Sequence, residues 1–387
     1  MHNRSVYIVG SKGIPAAYGG FETFIEELTA RKKAPHLSYY VGCMNNKEAQ
    51  YEYNGAHCFN VTTKTGGAFG KMLQVCNALK YILTKLKPDE NAIVYILGCR
   101  VGPFLYYYRK KLKHKNPSVT VMVNPDGMEW RRSKWKGWQK IFLKFCEKSL
   151  VKNADYVVAD SVGMREIIEK EFKIPKARIG YIAYGAEIAE GNLDMASAET
   201  WYREKGIEPL NYYLIVGRFV PENNYEVIIR EFMKSNTKKK LVIISNVEHD
   251  SFWEELKNKT HFLEDQRIIF AGTVYDRDLL KIIRQNAFAY IHGHEVGGTN
   301  PSLLEALAAT KVNILLEVSF NKEVGGDAAY YFDKEEGNLK KIMEQVETLT
   351  CEMREQLGEQ AKMRIRKKYS WDYIVDEYER LFMGENR

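Results

Sequence analysis

The sequence lacks the arrangements by which cysteine and histidine usually bind metals. Its six cysteines are scattered over 387 residues, with no Cys-x-x-Cys pair and no histidine at the spacing of a metal ligand. We therefore expect buried, reduced thiols, and neither a metal site nor a redox centre.

Long apolar runs are also missing. No run approaches the ~18 residues that cross a bilayer. The first apolar segment, Val6–Val9, is too short for the core of a signal peptide and predicts a strand. The expected location is the cytoplasm.

The charges are divided unevenly. Residues 1–150 hold 24 Lys and Arg against 10 Asp and Glu, whereas residues 151–387 hold 33 against 40. A net charge of +14 beside one of −7 indicates two domains with different partners, and the basic part favours a polyanion or an anionic membrane surface.

Short β-branched runs alternate with helical patterns along most of the chain. This alternation predicts an α/β protein with parallel sheets and helices on both faces. The polar stretch near residues 189–210 divides the strands into two series and predicts two doubly wound domains. Ligands of such sheets bind beyond the carboxyl ends of the strands.

A last helical pattern begins after Ser370, a good N-cap residue, and runs to Phe382. It predicts a helix that packs either on the second domain or back on the first. The pattern alone does not choose between them.

Two segments of the second half suggest an anion site. Arg218 follows Gly217 at the end of the strand Tyr213–Val216, where its guanidinium could bind a phosphate, although from this segment alone a plain surface arginine is the better interpretation. In the segment 292–307, a glycine-rich turn leads into a helix that begins near Pro301. Its free amides favour an anion. Glu305, one turn on, could accept hydrogen bonds from the diol of a ribose, or could be a solvated helix charge.

In order along the chain, "GRFVPEN", "FAGTVYDRDL" and "GGTNPSLLEALA" resemble glycosyltransferase family 4. The resemblance implies the GT-B fold, in which two Rossmann-like domains face a central cleft. We place these domains at residues 1–188, for the acceptor, and 189–369, for the nucleotide sugar, with residues 370–387 as the last helix. "GSKGIPAAYGGFETF", "NPDGMEW" and "VGGTNPSLLEA" are similar in particular to bacterial rhamnosyltransferases of capsule and cell-wall synthesis, which use dTDP-rhamnose.

The resemblance also implies roles for single residues. Arg218 would contact the donor diphosphate, and Glu305 would bind the ribose. The remaining donor residues would face the diphosphate, the sugar or the base: Gly298, Thr299, Asn300, Thr273 and Val274.

Two positions depart from the family pattern. A glutamate is usual eight residues before the one matched by Glu305, but this chain has Gly297 there, with Glu295 as a substitute two residues earlier. A lysine is usual where Asn223 stands. The diphosphate charge would then depend more on Arg218, on backbone amides, or on a basic residue of the other domain such as Lys12.

On the acceptor side, Gly19 and Gly20 would let the backbone approach the donor diphosphate closely, and Tyr18 and Glu22 would meet the acceptor. Asp126 follows the strand Val119–Val123 and could orient or deprotonate an acceptor hydroxyl. An ordinary Pro-Asp-Gly turn is the alternative. Glu129 and Arg131 are further candidates for acceptor binding.

The segment Trp130–Lys152 holds eight basic residues and one acid, interleaved with aromatics. On a helix from Gly137 it forms an apolar stripe (Trp138, Ile141, Phe142, Phe145) beside a basic one (Lys136, Lys140, Lys144, Lys148). With Trp135, these residues suit an interface with anionic lipids. The alternative is a helix whose stripe packs on the sheet.

The resulting hypothesis is a rhamnosyltransferase, peripheral on the inner face of the plasma membrane. It would move rhamnose from dTDP-rhamnose to N-acetylglucosamine or glucose on a polyprenyl diphosphate lipid. The resemblance implies retention of anomeric configuration without a metal or other cofactor. Alternatives are a transferase of the same fold with another donor, such as UDP-N-acetylglucosamine or a UDP-hexose, and a non-catalytic basic protein that binds lipid or nucleic acid. No nucleic-acid motif is present.

Overall fold

A computed structural model describes residues 3–16, 19–44, 50–63, 67–188 and 196–385 of the chain. It consists of two compact units. Unit 1 contains residues 1–185 and 371–387, and unit 2 contains residues 186–370. The predicted domains ended at residues 188 and 369.

The first span of unit 1 alternates strands and helices, as its apolar patterns predict. Its elements in chain order are β1 Arg4–Val9, α1 Gly20–Ala30, β2 Leu37–Cys43, β3 Gln50–Tyr53, β4 Ala56–Asn60, α2 Gly67–Lys85, β5 Ala92–Leu97, α3 Gly102–Lys115, β6 Thr120–Asn124, α4 Trp138–Asn153, β7 Tyr156–Ala159, α5 Val162–Phe172 and β8 Ile179–Tyr181.

In the described part of unit 1, the strands form one sheet in the order β3-β4-β2-β1-β5-β6-β7-β8. All neighbours are parallel except β3 and β4, a hairpin whose turn residues Asn54 and Gly55 both have positive φ. This hairpin departs from the all-parallel sheet that the sequence predicted. The strand order reverses between β1 and β5, so the loops after these two strands lead to opposite faces of the sheet.

Unit 2 repeats the alternation. Its elements are α6 Ala196–Lys205, β9 Tyr212–Val216, α7 Tyr225–Met233, β10 Lys240–Ile244, α8 Ser251–Thr260, β11 Ile268–Gly272, α9 Arg277–Gln285, β12 Ala289–His292, α10 Pro301–Ala309, β13 Asn313–Leu316, α11 Ser319–Gly325, β14 Tyr330–Phe332, α12 Asn338–Glu347 and α13 Cys351–Lys368.

The sheet of unit 2 is parallel throughout its described strands, in the order β11-β10-β9-β12-β13-β14. Here the order reverses between β9 and β12. The loops that begin at Gly217 and Gly293 follow these two strands, so the segments that contain Arg218 and Glu305 flank the switch point.

The last helix, α14 (Trp371–Met383), returns to unit 1. Tyr378 and Phe382 pack with Phe24 and Tyr95 in an aromatic cluster, and Phe382 is fully buried. The buried carboxylate of Glu379 accepts hydrogen bonds from two backbone amides of the α1–β2 connection, at 2.8 and 2.9 Å. The helix is therefore part of the core of unit 1, which is one of the two placements that the sequence allowed.

Among the described residues, no helix combines the length and the apolar content that crossing a bilayer requires.

The aromatic cluster makes a testable prediction about stability. Phe382→Ala should lower the free energy of unfolding of unit 1 by about 3–5 kcal/mol, because it leaves a cavity among buried rings. Tyr373→Ala, at an exposed position of the same helix, is the control and should cost well under 1 kcal/mol. Urea unfolding followed by circular dichroism measures both. Equal losses would contradict the packing of α14 as a core element.

Candidate functional site

The loop after β9 presents Arg218 from a fixed backbone. Its carbonyl oxygen accepts hydrogen bonds from the Val220 amide (3.0 Å), the Asn223 side chain (2.6 Å) and the Tyr225 hydroxyl (3.1 Å). The Arg218 side chain itself is exposed. Because the backbone is already fixed, the guanidinium can bind an anion without the entropic cost of ordering the loop.

The loops after β9 and β12 are joined by a polar network. Asn223 Oδ1 lies 2.7 Å from His294 Nδ1, and Asn224 Nδ2 donates to the Gly293 carbonyl at 2.8 Å. The Glu295 amide donates to the Glu222 carbonyl at 3.0 Å. Both ends of the Asn223 amide are engaged, so its observed contacts hold the loops together. Its predicted donor contact remains a prediction.

The start of α10 is fastened to the end of β9. Asn300 caps the helix by accepting from the Ser302 amide at 2.9 Å, and Ser302 Oγ donates to the Val216 carbonyl at 2.9 Å. Gly298 and Thr299 are buried in the preceding turn, which Gly297 enters with φ of 117°. This places the predicted diphosphate-binding segment directly beside the strand that leads to Arg218.

Glu305 has a partner that the sequence analysis missed. The guanidinium of Arg284, on α9, lies 2.6 Å from Glu305 Oε2 and 3.3 Å from Ser302 Oγ. Arg284 is 4% exposed, whereas Glu305 is 46% exposed. A buried cation thus holds one oxygen of a carboxylate that otherwise faces solvent. In the sequence, the only sign of this role is that Arg284 adjoins Ile282 and Ile283, which form a buried pair on an amphipathic helix.

The other donor candidates of unit 2 have different surroundings. Thr273 is exposed and Val274 packs on a hydrophobic cluster, both after β11, which β10 separates from β9. The carboxylate of Glu295 forms an ion pair with Lys334. Its role as a substitute for the family's first glutamate stays a prediction.

In unit 1, the glycine loop after β1 is held by Glu22. One carboxylate oxygen accepts from the Lys12 amide at 2.7 Å. The other lies only 2.0 Å from where a Cβ of Gly19 would stand, and Gly19 has φ of 130°. L side chains rarely adopt this φ, so the backbone conformation favours glycine at position 19, and Gly20 begins α1. Tyr18 lies outside the described residues.

The loop after β6 adopts a rare backbone conformation. Asp126, Gly127 and Met128 have consecutive positive φ values of 63°, 55° and 48°. The Asp126 amide donates to Asn124 Oδ1 at 3.0 Å. Asp126 and Met128, on either side of Gly127, are two non-glycine residues in this region, which is costly and occurs frequently at functional sites. This geometry goes beyond an ordinary Pro-Asp-Gly turn.

Several side chains contact the carboxylate of Glu129. Its buried carboxylate contacts Arg132 at 3.1 Å, Lys134 at 2.8 Å and the Trp135 indole nitrogen at 3.1 Å. Burial raises the pKa of Glu129, but the cations outweigh it and hold the pKa below its ordinary value. These contacts favour a role in fixing the loop over the predicted acceptor contact. Arg131, in contrast, is exposed.

The predicted apolar stripe of α4 is exposed. Trp138 and Ile141 are each 73% exposed, and Phe142 and Phe145 are also exposed. The opposite face packs inward through Leu143, Cys146, Glu147, Leu150 and Val151. The alternative in which the stripe packs on the sheet of unit 1 is therefore wrong.

The basic residues around this stripe differ in their surroundings. Lys136 is exposed and Lys140 is half-buried. Lys144 forms an ion pair with Glu171, and Trp135 is half-buried against Glu129, so neither is a free surface group. The neighbouring helix α3, which meets α4 where Ser149 Oγ donates to the Gly102 carbonyl, exposes further aromatics: Phe104, Tyr106 and Tyr107.

Among the described residues, no three side chains of His, Cys, Asp or Glu are grouped as a metal site would require.

Two family models match the chain. Residues 3–187 match a domain of unknown function, DUF1972, and residues 197–364 match glycosyl transferases group 1. An uncharacterized glycosyltransferase of Methanocaldococcus jannaschii is 27% identical over 280 residues, which cover 70% of this chain and 69% of the relative.

Solved structures share the fold over nearly the whole chain. Sucrose-phosphate synthase of Thermosynechococcus elongatus superposes with a TM-score of 0.77 at 15% identity, covering 99% of both chains. A glycosyltransferase of Rickettsia africae gives 0.75 at 13% identity and covers 100% of both. HepE of Anabaena, in complex with UDP and glucose, gives 0.75 at 11% identity and covers 99% of this chain and 100% of its own.

With a match to group 1 glycosyl transferases at residues 197–364 and a largely or wholly parallel sheet in each unit, the chain is a glycosyltransferase of the GT-B fold.

Proposed function

We propose that this glycosyltransferase moves L-rhamnose from dTDP-rhamnose to N-acetylglucosamine or glucose on a polyprenyl diphosphate lipid. The reaction belongs to the synthesis of a cell-wall or capsular polysaccharide. It takes place in the cytoplasm, with the protein bound peripherally to the inner face of the plasma membrane.

The observation that carries the proposal is the pair of exposed groups at the switch point of unit 2. The Arg218 guanidinium suits a diphosphate, and the Glu305 carboxylate suits the hydroxyls of a sugar. Arg284 fixes Glu305 from below, so the carboxylate is oriented before the donor arrives. Preorganisation of this kind lowers the entropic cost of binding.

The choice of dTDP-rhamnose comes from the likeness of three segments to rhamnosyltransferases: Gly10–Phe24, Asn124–Trp130 and Val296–Ala306. A UDP-hexose is the alternative donor, and HepE, which shares the fold, binds UDP and glucose. Thr273 and Val274 would lie near the base.

The lipid acceptor is supported by unit 1. Helices α3 and α4 expose aromatic side chains beside lysines, as proteins do that bind the interface of an anionic membrane. The strained turn at Asp126 would hold its carboxylate toward the acceptor hydroxyl.

In the proposed mechanism, the leaving diphosphate takes the acceptor proton and configuration is retained. Arg218 neutralises charge as it develops on the diphosphate, and Asp126 orients the attacking hydroxyl. If Asp126 itself removes the proton as a general base, inversion becomes possible.

Donor binding provides the first test. In differential scanning fluorimetry, dTDP-rhamnose should raise the melting temperature more than UDP-N-acetylglucosamine or UDP-glucose, because a ligand of the folded state stabilises it. Arg218→Ala and Glu305→Ala should each weaken donor affinity about tenfold or more, since hydrogen bonds to charged groups contribute about 1.5–3 kcal/mol.

The matched controls for donor binding are Arg203→Ala and Glu344→Ala, at exposed positions of α6 and α12. Both should bind the donor with native affinity. If all four variants bind the donor as the native protein does, the proposed donor site is wrong; if Arg218→Ala and Glu305→Ala also leave all activity unchanged, the non-catalytic alternative gains support.

The product tests the reaction itself. Incubation of dTDP-rhamnose with lipid-linked N-acetylglucosamine or glucose should give a product heavier by one deoxyhexose, detected by mass spectrometry. NMR of the new linkage should show the donor's anomeric configuration. An inverted linkage would exclude retention, and transfer from a UDP-hexose alone would exclude the rhamnosyl donor.

Membrane binding is tested with vesicles. The native protein should sediment with phosphatidylglycerol vesicles more strongly than with phosphatidylcholine vesicles, and added salt should weaken this binding. Trp138→Ala with Ile141→Ala should weaken it at least tenfold, because both side chains lose apolar contact with the bilayer. Leu263→Ala, at an exposed position of unit 2, is the control. Equal binding of all three proteins would contradict the proposed surface.

A further inference from the structure

A buried carboxylate lies behind the turn that presents Asp126. Glu147 belongs to the inward face of α4 and is 0% exposed, between the buried residues Cys146 and Leu150. Neither of its carboxylate oxygens has a hydrogen-bond partner within the described residues. Burying an unpaired carboxylate is costly, and an apolar side chain would fill the position at lower cost. The packing of α4 alone therefore does not explain a glutamate here.

The groups that face Glu147 belong to the Asp126 loop. The Met128 backbone amide and the Trp130 side chain both lie against the carboxylate and favour its charged form. The indole nitrogen of Trp130 is itself buried without a partner. A buried acceptor and a buried donor thus face each other just outside hydrogen-bond geometry, so a small movement of the loop would pair both.

The loop needs such a support because its backbone is strained. Met128 ends the run of three residues with positive φ and has φ of 48°. On the other side of the turn, a Cβ at Gly127 would lie 2.7 Å from Met164 Cε, so the turn is tightly enclosed. Conformations of this kind persist only where the surroundings fix them. Hydrogen bonds to Met128 and Trp130 would hold the C-terminal end of the turn in place.

We propose that Glu147 is a positioning residue, whose carboxylate accepts hydrogen bonds from the Met128 amide and the Trp130 indole and so fixes Asp126 toward the acceptor. The inference rests on the proposed function, in which Asp126 orients the acceptor hydroxyl. Glu147 itself does not contact the substrate.

The position of Glu147 makes this support sensitive to pH. The pKa of Glu147 is raised to about 7, chiefly by burial and in smaller part by the charge of Asp126, while Met128, Trp130 and Arg131 act in the opposite direction. The thiols of Cys99 and Cys146 also adjoin this region, and burial raises the pKa of both, so they stay neutral near pH 7. The carboxylate accepts both hydrogen bonds best when ionised. The turn should therefore loosen as pH falls below about 7.

The stability of the fold depends on pH in the opposite direction from the rigidity of the turn. Because the pKa of Glu147 is higher in the folded protein than in the unfolded chain, the folded state holds its proton more tightly. Protonation at Glu147 thus stabilises the fold at low pH, and this contribution is lost as pH rises through about 7. Ionisation of Glu147 therefore lowers the stability of the fold but fixes the position of Asp126.

An NMR titration of the Trp130 indole proton tests the contact without any need for activity. Trp130→Phe assigns the signal. In the native protein the signal should move with a midpoint near pH 7, and in Glu147→Gln, which keeps the shape but cannot ionise, it should not titrate. Glu166→Gln, at an exposed position of α5, is the control and should titrate as the native protein does. An indole signal that ignores pH in the native protein overturns the inference.

Steady-state kinetics test whether Glu147 affects the use of the acceptor. Glu147→Gln should raise the acceptor KM about tenfold at pH 8, as expected when a charge-assisted hydrogen bond is lost, and should remove the loss of native kcat/KM below pH 7. Donor affinity should stay native, because the proposed donor contacts of Arg218 and Glu305 lie in unit 2, whereas Glu147 belongs to unit 1. A native acceptor KM and pH profile in Glu147→Gln would overturn the positioning role. Failure of the proposed function is distinguishable, since the native enzyme would then make no rhamnosyl product while the indole signal still titrated.

Discussion

The reversal of strand order in each sheet is the constraint on which the rest of this structure depends. In unit 2, β9 and β12 lie side by side, but the chain leaves them toward opposite faces. Loops that diverge in this way leave backbone amides and side chains uncovered at the carboxyl ends of the strands. Arg218 and the turn before α10 occupy these two loops. Their proximity follows from topology, although 80 residues of sequence separate Arg218 from Gly298.

Polar contacts behind the exposed groups fix the positions of these loops. Arg284 fixes Glu305, His294 and Asn223 join the two loops, and Glu22 fixes the glycine loop of unit 1. In each case a buried or half-buried group orients its neighbour, and an exposed group remains available to a ligand. Burying a polar or charged group costs less with a partner at close range, and each of these contacts is 2.7 Å or shorter.

The fold could be predicted from the sequence because the apolar period of strands and helices is a local property. The strands that follow from β-branched runs, such as Val6–Val9 and Tyr213–Val216, lie within or close to β1 and β9. The hairpin of β3 and β4 was missed because both strands are short and β3 is half exposed. The direction of the α4 stripe could not be predicted, since both faces of that helix contain apolar side chains. Arg284 was missed for a different reason: its partner is distant in sequence, and only the packing of α9 on α10 brings the two together.

The return of α14 to unit 1 has a consequence for biosynthesis. During translation the first 185 residues leave the ribosome long before Trp371 does, and unit 2 is made in between. At ordinary elongation rates this delay is roughly ten to forty seconds. Until it ends, Phe24, Tyr39 and Tyr95 lack the rings of Tyr378 and Phe382 that cover them in the finished protein. The nascent chain therefore exposes an aromatic surface that chaperones can bind, and a copy of unit 1 made alone would need α14 joined back to it by a linker.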